Sequence, residues 1–380
     1  MADSALDAGK VSDAFDRLRL IRSRRVGPVT YHRLIEDHGS AAAALAALPD
    51  IARAAGVEGY AICPEGVVTA ELVTARKAGA RLLCHGEAAY PAELSELPDA
   101  PPILWVIGDA ALLQRPMVAM VGARNASSLG MRMARRLAEG LGAAGFGVVS
   151  GMARGIDSVS HEAALASGTV AVLAGGVDVI YPAENAELYA RLVEHGCVIS
   201  EQPPGTDPQA RHFPLRNRIV SGLAQAVVVV EAAARSGSLI TARSALDQGR
   251  DVLEVPGHPF DARAAGCNML IRDGARLVRC AQDVVETLRA NPTVEEKAPP
   301  ARSTVANPPL PGPVPERRPL QEMAAIHTLI LDLLGPSPLA EDQLIRDLAM
   351  PSSELAPELL TLELEGRVVR QPGGLLARVG

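Results

Sequence analysis

The sequence has no long apolar run. No window of its 380 residues contains the roughly 18 uncharged apolar residues that a membrane-spanning helix needs. Its first residues, MADSALDAGKVSDAFDRLRL, are polar and acidic, and they lack the apolar core of a secretion signal. Apolar residues still make up 48% of the chain, which is typical of a globular protein. We therefore expect a cytoplasmic protein with at least one large core and no membrane span.

Cysteine is scarce, and groupings of catalytic residues are missing. The chain has five cysteines, an odd number, and none of them forms a Cys-x-x-Cys pair. This argues against a disulfide framework and against a zinc site, and it fits a reducing compartment. The Gly-rich loops of the chain also contain no metal-ligating cluster, no paired carboxylates and no Ser/His/Asp arrangement. We therefore predict a protein without a cofactor, a metal or a catalytic site.

Lysine is missing from the middle of an acidic chain. The net charge is −7. Residues 1–112 carry 11 basic and 15 acidic groups, and residues 291–380 carry 8 and 12, whereas residues 113–290 carry 18 and 17. All basic residues of the middle segment are arginine, whose planar fork suits phosphate, although coding bias is an equally good explanation. A local basic groove is compatible with an acidic protein.

A proline-rich stretch marks the clearest domain boundary. Residues 291–320 have no apolar period, which predicts an extended linker. It separates an N-terminal helical domain over 1–80 and a larger domain over 81–290 from a small domain over 321–380. In the first domain, a Val-Gly-Pro-Val turn precedes a helix that ends near Gly39. This pattern is similar to a helix-hairpin-helix or SAM-like domain, and a tight turn in a helical bundle is the plainer interpretation.

From residue 117 onward, short buried strands alternate with helices. The strand-like runs include MVAMVG, GFGVVSG, TVAVLAGG, GCVISE, AQAVVVVEA and RDVLEVPG. This alternation predicts an α/β domain with a parallel sheet covered on both faces. Ligands of such sheets bind at the carboxyl ends of the strands, so function should lie in the loops that follow them. The predicted helices are 128–144, 157–167, 184–195, 216–224 and 239–248.

The tail resembles a winged helix. Helical runs around 321–334, 339–348 and 352–366 precede two short strands joined by Pro-Gly-Gly. Winged helices bind DNA or proteins. The third helix carries four glutamates and no cation, which argues against phosphate contact through it and makes a protein-docking role at least as plausible. These are Glu354, Glu358, Glu363 and Glu365.

Two loops follow the first strands of the sheet. In VGARNASSLG, Gly122 permits close backbone approach and Arg124 can reach an anion held on the amides of the next helix, which Ser127 or Ser128 can cap. In VVSGMARGIDSVSHEAAL, we expect Ser150, Gly151 and Gly155 to form a flexible loop, to which Arg154 adds a cation. Asp157 is interpreted there as a helix cap and His161 as structural. An ordinary strand-to-helix turn is the alternative interpretation of the first loop.

Two further loops complete the set. EAAARSGSLITARSAL crowds hydroxyls and free amides at a helix start, which makes an anion pocket or a simple cap. EVPGHPFDARAAGCNMLIRDGA contributes Asn268. Each loop is weak evidence alone, but all four converge on one edge of the sheet, and phosphates are their natural guest. The candidates in the first of these loops are Ser236, Gly237, Ser238 and Thr241.

The stretch FPLRNRIVSG adds an aromatic ring beside two arginines. Phe213 offers a flat face on which a base can stack, and stacking combined with cations holds single strands without sequence preference. We expect at least one of Arg216 and Arg218 to face phosphate and the other to pair with an acid. Asn217 is expected to fix the turn or the helix start. The residues do not decide between the two arginines.

These motifs resemble the DNA-processing protein A family. VAMVGARNASSLG, SGMARGIDSVSHEAAL, AVLAGGVDVIYPAENAELY, ISEQPPG, the segment from FPLRNR to EVPG, and GCNMLIRDGA match it in order and spacing over about 80–290. The resemblance implies an extended Rossmann-like fold that binds single-stranded DNA. It also implies a homodimer that loads the RecA recombinase during natural transformation without catalysis.

The resemblance also implies which residues bind DNA. The family pocket uses a Gly-x-Arg loop, a Phe-x-x-Arg-Asn-Arg run and a Ser-Gly-Ser loop, which correspond here to Gly122 and Arg124, Phe213 to Arg218, and Ser236 to Ser238. Family members usually carry serine at the position of Ala123, where backbone amides can suffice. Some carry lysine shortly before the phenylalanine, where Arg211 is the nearest cation.

Two other functions remain open. One is a nucleotide-binding enzyme similar to nucleoside-monophosphate hydrolases, but these carry Pro-Gly-Gly-x-Gly-Thr with a following glutamate, where this chain has AAARSGSLIT. The other is an adaptor for RecA that does not need DNA.

Overall fold

The computed structural model describes most of the chain in two compact units. The first unit contains residues up to Asp50 and Gly59–Glu286, and the second contains Ile51–Glu58 and the described residues from Thr287 onward. Residues 291–319 of the predicted linker lie outside the described residues, whereas its last residue, Leu320, begins a helix. The domain boundaries drawn from the sequence stay predictions. The described residues are 2–290, 320–334 and 339–378, the last with gaps at 349, 351–354, 356–357, 360, 364 and 372–374.

The N-terminal part is helical, as expected. The turn before its second helix places Gly27 at the N-cap and Pro28 at the first helical position, where a missing N–H costs nothing. This helix ends at Gly39, whose φ of +77° is a left-handed conformation that glycine adopts without strain. Tyr31 and Leu34 are buried. The helices are α1 (Ala2–Ile21), α2 (Pro28–His38), α3 (Ala41–Ala54) and α4 (Glu65–Lys77).

A nine-stranded sheet forms the centre of the first unit. Its order is β1-β2-β6-β5-β4-β3-β7-β8-β9. Neighbours from β6 to β9 run parallel, and β2 is antiparallel to both β1 and β6. The strands are β1 (Arg81–Cys84), β2 (Ile103–Gly108), β3 (Met117–Val121), β4 (Gly147–Ser150), β5 (Thr169–Val172), β6 (Cys197–Ser200), β7 (Ala226–Val229), β8 (Asp251–Glu254) and β9 (Arg276–Leu277).

Helices cover both faces of this sheet. Every residue of β3 to β7 is buried, because the apolar side chains on both faces pack against helices. Two short 3-10 helices occur in the loops of this unit: Ala110–Gln114 lies between β2 and β3, and Ala183–Asn185 follows β5. The helices are α5 (Ala92–Ser95), α6 (Ser128–Ala143), α7 (Ile156–Ala164), α8 (Ala186–His195), α9 (His212–Gly222), α10 (Ser238–Asp247), α11 (Ala265–Arg272) and α12 (Ala281–Ala290).

One helix begins earlier than predicted. The sequence interpretation started it at residue 216, but α9 begins at His212 and therefore includes Phe213. Pro214 is compatible with this start because it lies in the first helical turn, where backbone N–H groups have no intrahelical acceptor. The whole FPLRNR stretch is therefore helical rather than a loop.

The strand order reverses direction beside β3. From β3 the chain steps to β4, β5 and β6 on one side, and it then crosses to β7 and β8 on the other. Such a reversal opens a crevice at the carboxyl ends of the strands, where ligands of open α/β sheets bind. The fold therefore places the loops after β3 and β7 around this crevice.

The tail forms the winged helix that its sequence predicts. A three-stranded antiparallel sheet of order β10-β12-β11 packs with helices around a core that includes Ile330, Leu344 and Leu376. The described part of the predicted third helix adds Leu355, Leu359 and Leu362 to this core. The predicted helix at 339 begins instead at Glu341, because Leu339 pairs with the last strand. These elements are α13 (Leu320–Leu333), β10 (Leu339–Ala340), α14 (Glu341–Leu348), β11 (Val368–Gln371) and β12 (Leu375–Arg378).

Glutamates of the predicted third tail helix have partners within the tail. Glu358 accepts a hydrogen bond from His327 at 2.7 Å, and both side chains are buried. Glu363 pairs with Arg370 at 2.9 Å. Glu354 and much of that helix lie outside the described residues. No described helix is long and apolar enough to cross a membrane.

Candidate nucleic-acid interface

Two adjoining cavities lie at the carboxyl edge of the parallel strands. The smaller one, about 250 Å³, is lined by the loops after β4 and β5. The larger one, about 550 Å³, is lined by the loops after β3 and β7 and reaches Arg263 in the loop after β8. Arg124, Ala153, Phe213 and Arg216 line both. We call the two cavities together the edge groove.

The structure gathers most of the sequence-predicted residues in the edge groove and leaves others outside its walls. The residues that line it are Gly122, Ala123, Arg124, Gly151, Arg154, Phe213, Arg216, Asn217, Ser236, Gly237, Ser238 and Thr241. The residues that do not line it are Ser127, Gly155, Arg211, Arg218 and Asn268.

Arg216 is the buried cation of the edge groove. Its residue is only 8% exposed, and its Nε has no hydrogen-bond partner among the described residues. Its guanidinium fills the space beside Gly151, where a Cβ would collide with it. Burial and the charge of Arg124 lower the pKa of Arg216, whereas the charge of Asp157 raises it. A buried guanidinium that lines both cavities is positioned to pair with an anion bound there.

Asp157 is not the helix cap that its position suggested. Its Oδ2 accepts hydrogen bonds from the backbone N–H groups of Gly151 at 3.2 Å and Ala153 at 3.3 Å. It therefore holds the loop after β4, and Gly155 occupies the N-cap of α7 instead. Burial raises the pKa of Asp157, while the charge of Arg216 and these hydrogen bonds lower it. The carboxylate thus shapes the loop and balances Arg216.

Gly155 lets two loops of the site approach each other. Its φ is +76°, and a Cβ at this position would collide with the carbonyl oxygen of Ala123. No other residue type fits this combination of left-handed backbone and close contact. Gly155 therefore acts on the site through backbone spacing, although it does not line the edge groove.

Arginine and two aromatic rings meet where the cavities join. The Arg124 guanidinium carbon lies 5.5 Å from the centre of the Phe213 ring, within cation–π range. The Tyr181 ring lies 5.7 Å from that of Phe213, tilted by 58°, and is 48% exposed. Sequence reasoning missed Tyr181. The signal was an aromatic residue shortly after β5, at one more strand end of the same sheet edge.

The start of α6 is already occupied by an internal carboxylate. Ser127 caps the helix by accepting from Gly130 N–H at 2.9 Å, which confirms its predicted capping role. The Ser127 N–H in turn donates to Glu231 Oε1 at 3.0 Å, and its hydroxyl donates to Glu231 Oε2. The sequence predicted an external anion on the amides at the start of α6, but the Glu231 carboxylate already accepts a hydrogen bond there. Arg124 faces the edge groove and Phe213 instead.

The start of α10 presents the hydroxyls of Ser236 and Ser238 to the larger cavity. Gly237 is the N-cap, and the first amides of the helix already have internal acceptors: the Ser238 N–H donates to Ser236 Oγ at 3.4 Å, and the next two N–H groups donate to the carbonyl oxygens of Ser236 and Gly237. Ser236 and Ser238 share a hydrogen bond of 2.7 Å between their hydroxyls. The helix dipole makes this end attractive to an anion. Arg235 also lines this cavity and was missed, although its loop had been recognised.

Arg218 lies two residues after Arg216 and has the opposite environment. It forms an ion pair with Glu201 and donates to the carbonyl oxygen of Asp99 at 2.7 Å. The structure thus separates the two arginines: Arg218 holds α9 against acids outside the edge groove. Asn217 lies inside α9 rather than at its start, and it lines the larger cavity.

Three other singled-out residues have local structural contacts. Arg211 precedes α9 and contacts His212 at 3.4 Å. Asn268 bonds both the N–H and the carbonyl of Gly257, at 3.2 and 3.0 Å, and so fixes the loop after β8. His161 is buried against Thr169 at 2.7 Å, and burial together with the charge of Arg216 lowers its pKa to about 3. The structural interpretation of His161 is therefore confirmed.

Comparison with known proteins identifies the family. The family model described as DNA recombination-mediator protein A matches residues 81–289, which is more than half of the chain. The chain belongs to the DNA-processing protein A family. Two further models of this family match as well: its N-terminal HHH domain at residues 11–74 and its winged helix domain at 314–374.

Individual members of the family are similar to this chain over about three quarters of their own length. The chain is 42% identical over 220 residues to DNA processing protein DprA of Bacillus subtilis, covering 57% of this chain and 74% of that one. It is 38% identical over 288 residues to Protein Smf of Escherichia coli, covering 75% and 74%.

Two solved structures of the family have the same fold. DNA processing protein A of Streptococcus pneumoniae superposes with a TM-score of 0.60 at 34% identity, covering 71% of this chain and 95% of that one. The Helicobacter pylori protein, described for its single-stranded DNA binding mode, gives a TM-score of 0.52 at 28% identity, covering 56% and 98%.

Proposed function

We propose that this protein binds single-stranded DNA along the edge groove without catalysing a reaction on it. The observation that carries the proposal is Arg216: a buried guanidinium that lines both cavities. A buried cation of this kind is stabilised by a bound anion, and the phosphates of a nucleic acid supply one at each nucleotide.

The length of the edge groove favours a polymer over a mononucleotide. Its lining loops follow β5, β4, β3, β7 and β8, which are successive neighbours in the sheet. With strands about 4.8 Å apart, five of them span roughly 19 Å. Arg124 lies along this length between Arg154, which pairs with Glu184 at 3.5 Å, and Arg263, which pairs with Asp261 at 2.9 Å. A chain of phosphates matches such a row of cations better than a single nucleotide does.

The aromatic rings favour an unpaired strand. Phe213 and Tyr181 line the smaller cavity between arginines. Aromatic faces bind bases by stacking, and only an unpaired strand can turn its bases toward a groove wall. We therefore expect tighter binding of single-stranded than of double-stranded oligonucleotides of equal length in a gel shift.

Replacing Arg124 is expected to weaken binding and its salt dependence together. Arg124→Ala removes an exposed cation from the junction of the cavities. Losing one charged contact costs about tenfold in affinity, and the slope of log K against log salt flattens by about 0.7 for one lost phosphate. Fluorescence anisotropy with oligo-dT at several salt concentrations measures both quantities.

The matched control for this variant is Arg191→Ala. Arg191 is exposed on α8 and does not line the edge groove, so its removal changes the net charge equally. Equal salt slopes for the two variants would contradict the proposed site.

We further propose that binding is the whole activity of the site. The alternative, a nucleotide-hydrolysing enzyme, predicts turnover when the protein is incubated with nucleoside monophosphates. Release of free base or phosphate at a rate above that of an Arg216→Met variant would overturn the non-catalytic proposal.

We also propose that the protein acts as a cytoplasmic homodimer that loads RecA on incoming single strands during natural transformation. The family membership supports these proposals. RecA should be captured by the immobilised protein, and capture that survives nuclease treatment indicates direct contact rather than a DNA bridge. Light scattering should report twice the chain mass of 39.7 kDa.

A further inference from the structure

The loop after β8 exposes a phenylalanine almost completely. Phe260 is 94% exposed, the largest value among the large apolar side chains in the described part of the chain. The chain has only four phenylalanines. The His258 ring lies 5.6 Å from it, tilted by 37°. This outward aromatic side chain has no role in the core.

The loop that carries Phe260 is held by hydrogen bonds on both sides of it. Asn268 bonds both backbone groups of Gly257. The Phe260 N–H donates to His258 Nδ1 at 3.3 Å, and the Asp261 N–H donates to the carbonyl of His258 at 2.9 Å. Asp261 forms a two-point ion pair with Arg263. A loop fixed in this way presents its ring in a defined place before any partner arrives.

This loop is continuous with the edge groove. Arg263, three residues after Phe260, lines the larger cavity. The loop follows β8, which is the next strand beyond β7 on that side of the sheet. A strand that leaves the larger cavity toward β8 therefore passes Arg263 and then reaches the segment with Phe260.

We infer that Phe260, supported by His258, is a stacking platform for a nucleobase of the bound strand, beyond the cavities. The inference rests on the proposed function of the edge groove and extends its footprint to the loop after β8. Arg263 holds a phosphate near the exit, and the ring of Phe260 receives the face of a neighbouring base. Base–aromatic stacking needs no particular base, so this platform adds affinity without sequence preference.

The surroundings of the ring favour a base over a protein partner. His258, Asp261 and Arg263 in the same loop are polar, and the exposed apolar residues beside the ring are the small Pro259 and Ala262. A stable protein interface buries about 800 Å² on each partner around an apolar centre. One ring among polar groups is better matched to one base, whose own edges are polar.

Phe260→Trp turns the platform into its own reporter. The only natural tryptophan, Trp105, is 1% exposed and cannot contact a ligand. Adding oligo-dT to Phe260→Trp should quench the emission of the new tryptophan, whereas a strand of the same length with abasic sites in place of bases should not. Unchanged emission at saturating oligo-dT overturns the inference.

Affinity measurements test the same inference independently. Phe260→Ala should bind oligo-dT about tenfold more weakly than the wild type, and Phe260→Trp should bind it as the wild type does. The abasic strand should bind all three proteins equally, because its phosphates still reach the arginines. Leu246→Ala is the matched control, since Leu246 is 57% exposed at the opposite end of α10.

The outcomes separate the two proposals. If the wild type does not bind oligo-dT, the proposed function is wrong, and the stacking platform at Phe260 is wrong as well. If the wild type binds and Phe260→Ala binds equally well, only the platform is overturned. A lower molar mass of Phe260→Ala in light scattering would assign the ring to contact between copies of the chain and would also overturn it.

Discussion

Replacing Arg216 with methionine is expected to reduce affinity for oligo-dT at least about 100-fold. The side chain is buried where the two cavities join, and a charge-assisted contact shielded from water is stronger than an exposed one. Removing one partner of a buried charge pair costs roughly 2–5 kcal/mol of binding free energy. Anisotropy titrations at fixed salt, on protein shown to be folded by circular dichroism, measure the loss.

Arg218→Met is the matched control for this prediction. Arg218 lies two residues further along the same helix and is 4% exposed, but it pairs with Glu201 and Asp99 outside the edge groove. Its loss leaves those acids unpaired and should cost about 3 kcal/mol of folding stability. The protein that remains folded should still bind oligo-dT normally. Equal losses of affinity in the two variants would contradict the separation of the arginines.

A second variant tests whether Arg216→Met loses affinity only because the protein is less stable. Arg216→Met leaves the Asp157 carboxylate buried without its cation, and this lowers stability. Asp157→Asn in the same chain removes the unpaired charge. The double variant should regain stability but not affinity, because the neutral amide that replaces the carboxylate supplies no cation. Recovered binding in the double variant would show that Arg216 only holds the loop.

Glu254→Gln is expected to remove the pH dependence that this one carboxyl group contributes to folding stability between about pH 5 and 8. Glu254 ends β8, is fully buried, and its carboxylate oxygens have no hydrogen-bond partner among the described residues. Burial raises its pKa to about 8, and the nearby Cys267 thiol counteracts this only in part. Between pH 4.5 and about pH 8, Glu254 is therefore mostly protonated in the folded protein and mostly ionised in the unfolded chain.

The sign of this effect follows from the raised pKa. Below the unfolded pKa of 4.5, Glu254 is protonated in both states and costs nothing. As pH rises toward 8, the unfolded state ionises first, so the contribution of Glu254 to the free energy of unfolding falls by about 1.4 kcal/mol per pH unit. Relative to the wild type, Glu254→Gln should gain up to about 4 kcal/mol between pH 5 and pH 8.

Urea unfolding at several pH values measures this gain. Glu139→Gln serves as the control, because Glu139 is exposed on α6 and its loss should shift the curve by the same small amount at every pH. A constant difference between the wild type and Glu254→Gln across this range would show that the buried carboxyl is ionised throughout.

The layers of the fold could be predicted from the chain because their signals are local. Runs such as MVAMV and AVVV are apolar at every position, which only a strand buried on both faces requires. Parallel strands put their following loops on one edge, so the gathering of Gly122, Arg124 and Ser236 followed from the same pattern. The start of α9 was harder to predict from the sequence, because Pro214 is compatible with a helix only in its first turn.

The amino-acid sequence by itself determined the α/β architecture, the winged helix, and the sheet edge on which the Gly/Ser/Arg loops converge. Only the tertiary structure decided which of the two arginines lines the edge groove. Arg216 and Arg218 are alike in type and neighbours in sequence, but a helix turns residues two apart to different sides. One meets Glu201, and the other enters the edge groove. The same reason explains the start of α6, where Glu231 takes the place predicted for an external anion. A charge pairs with the groups that the fold brings near it, and the spacing of residues in the sequence does not show which groups these are.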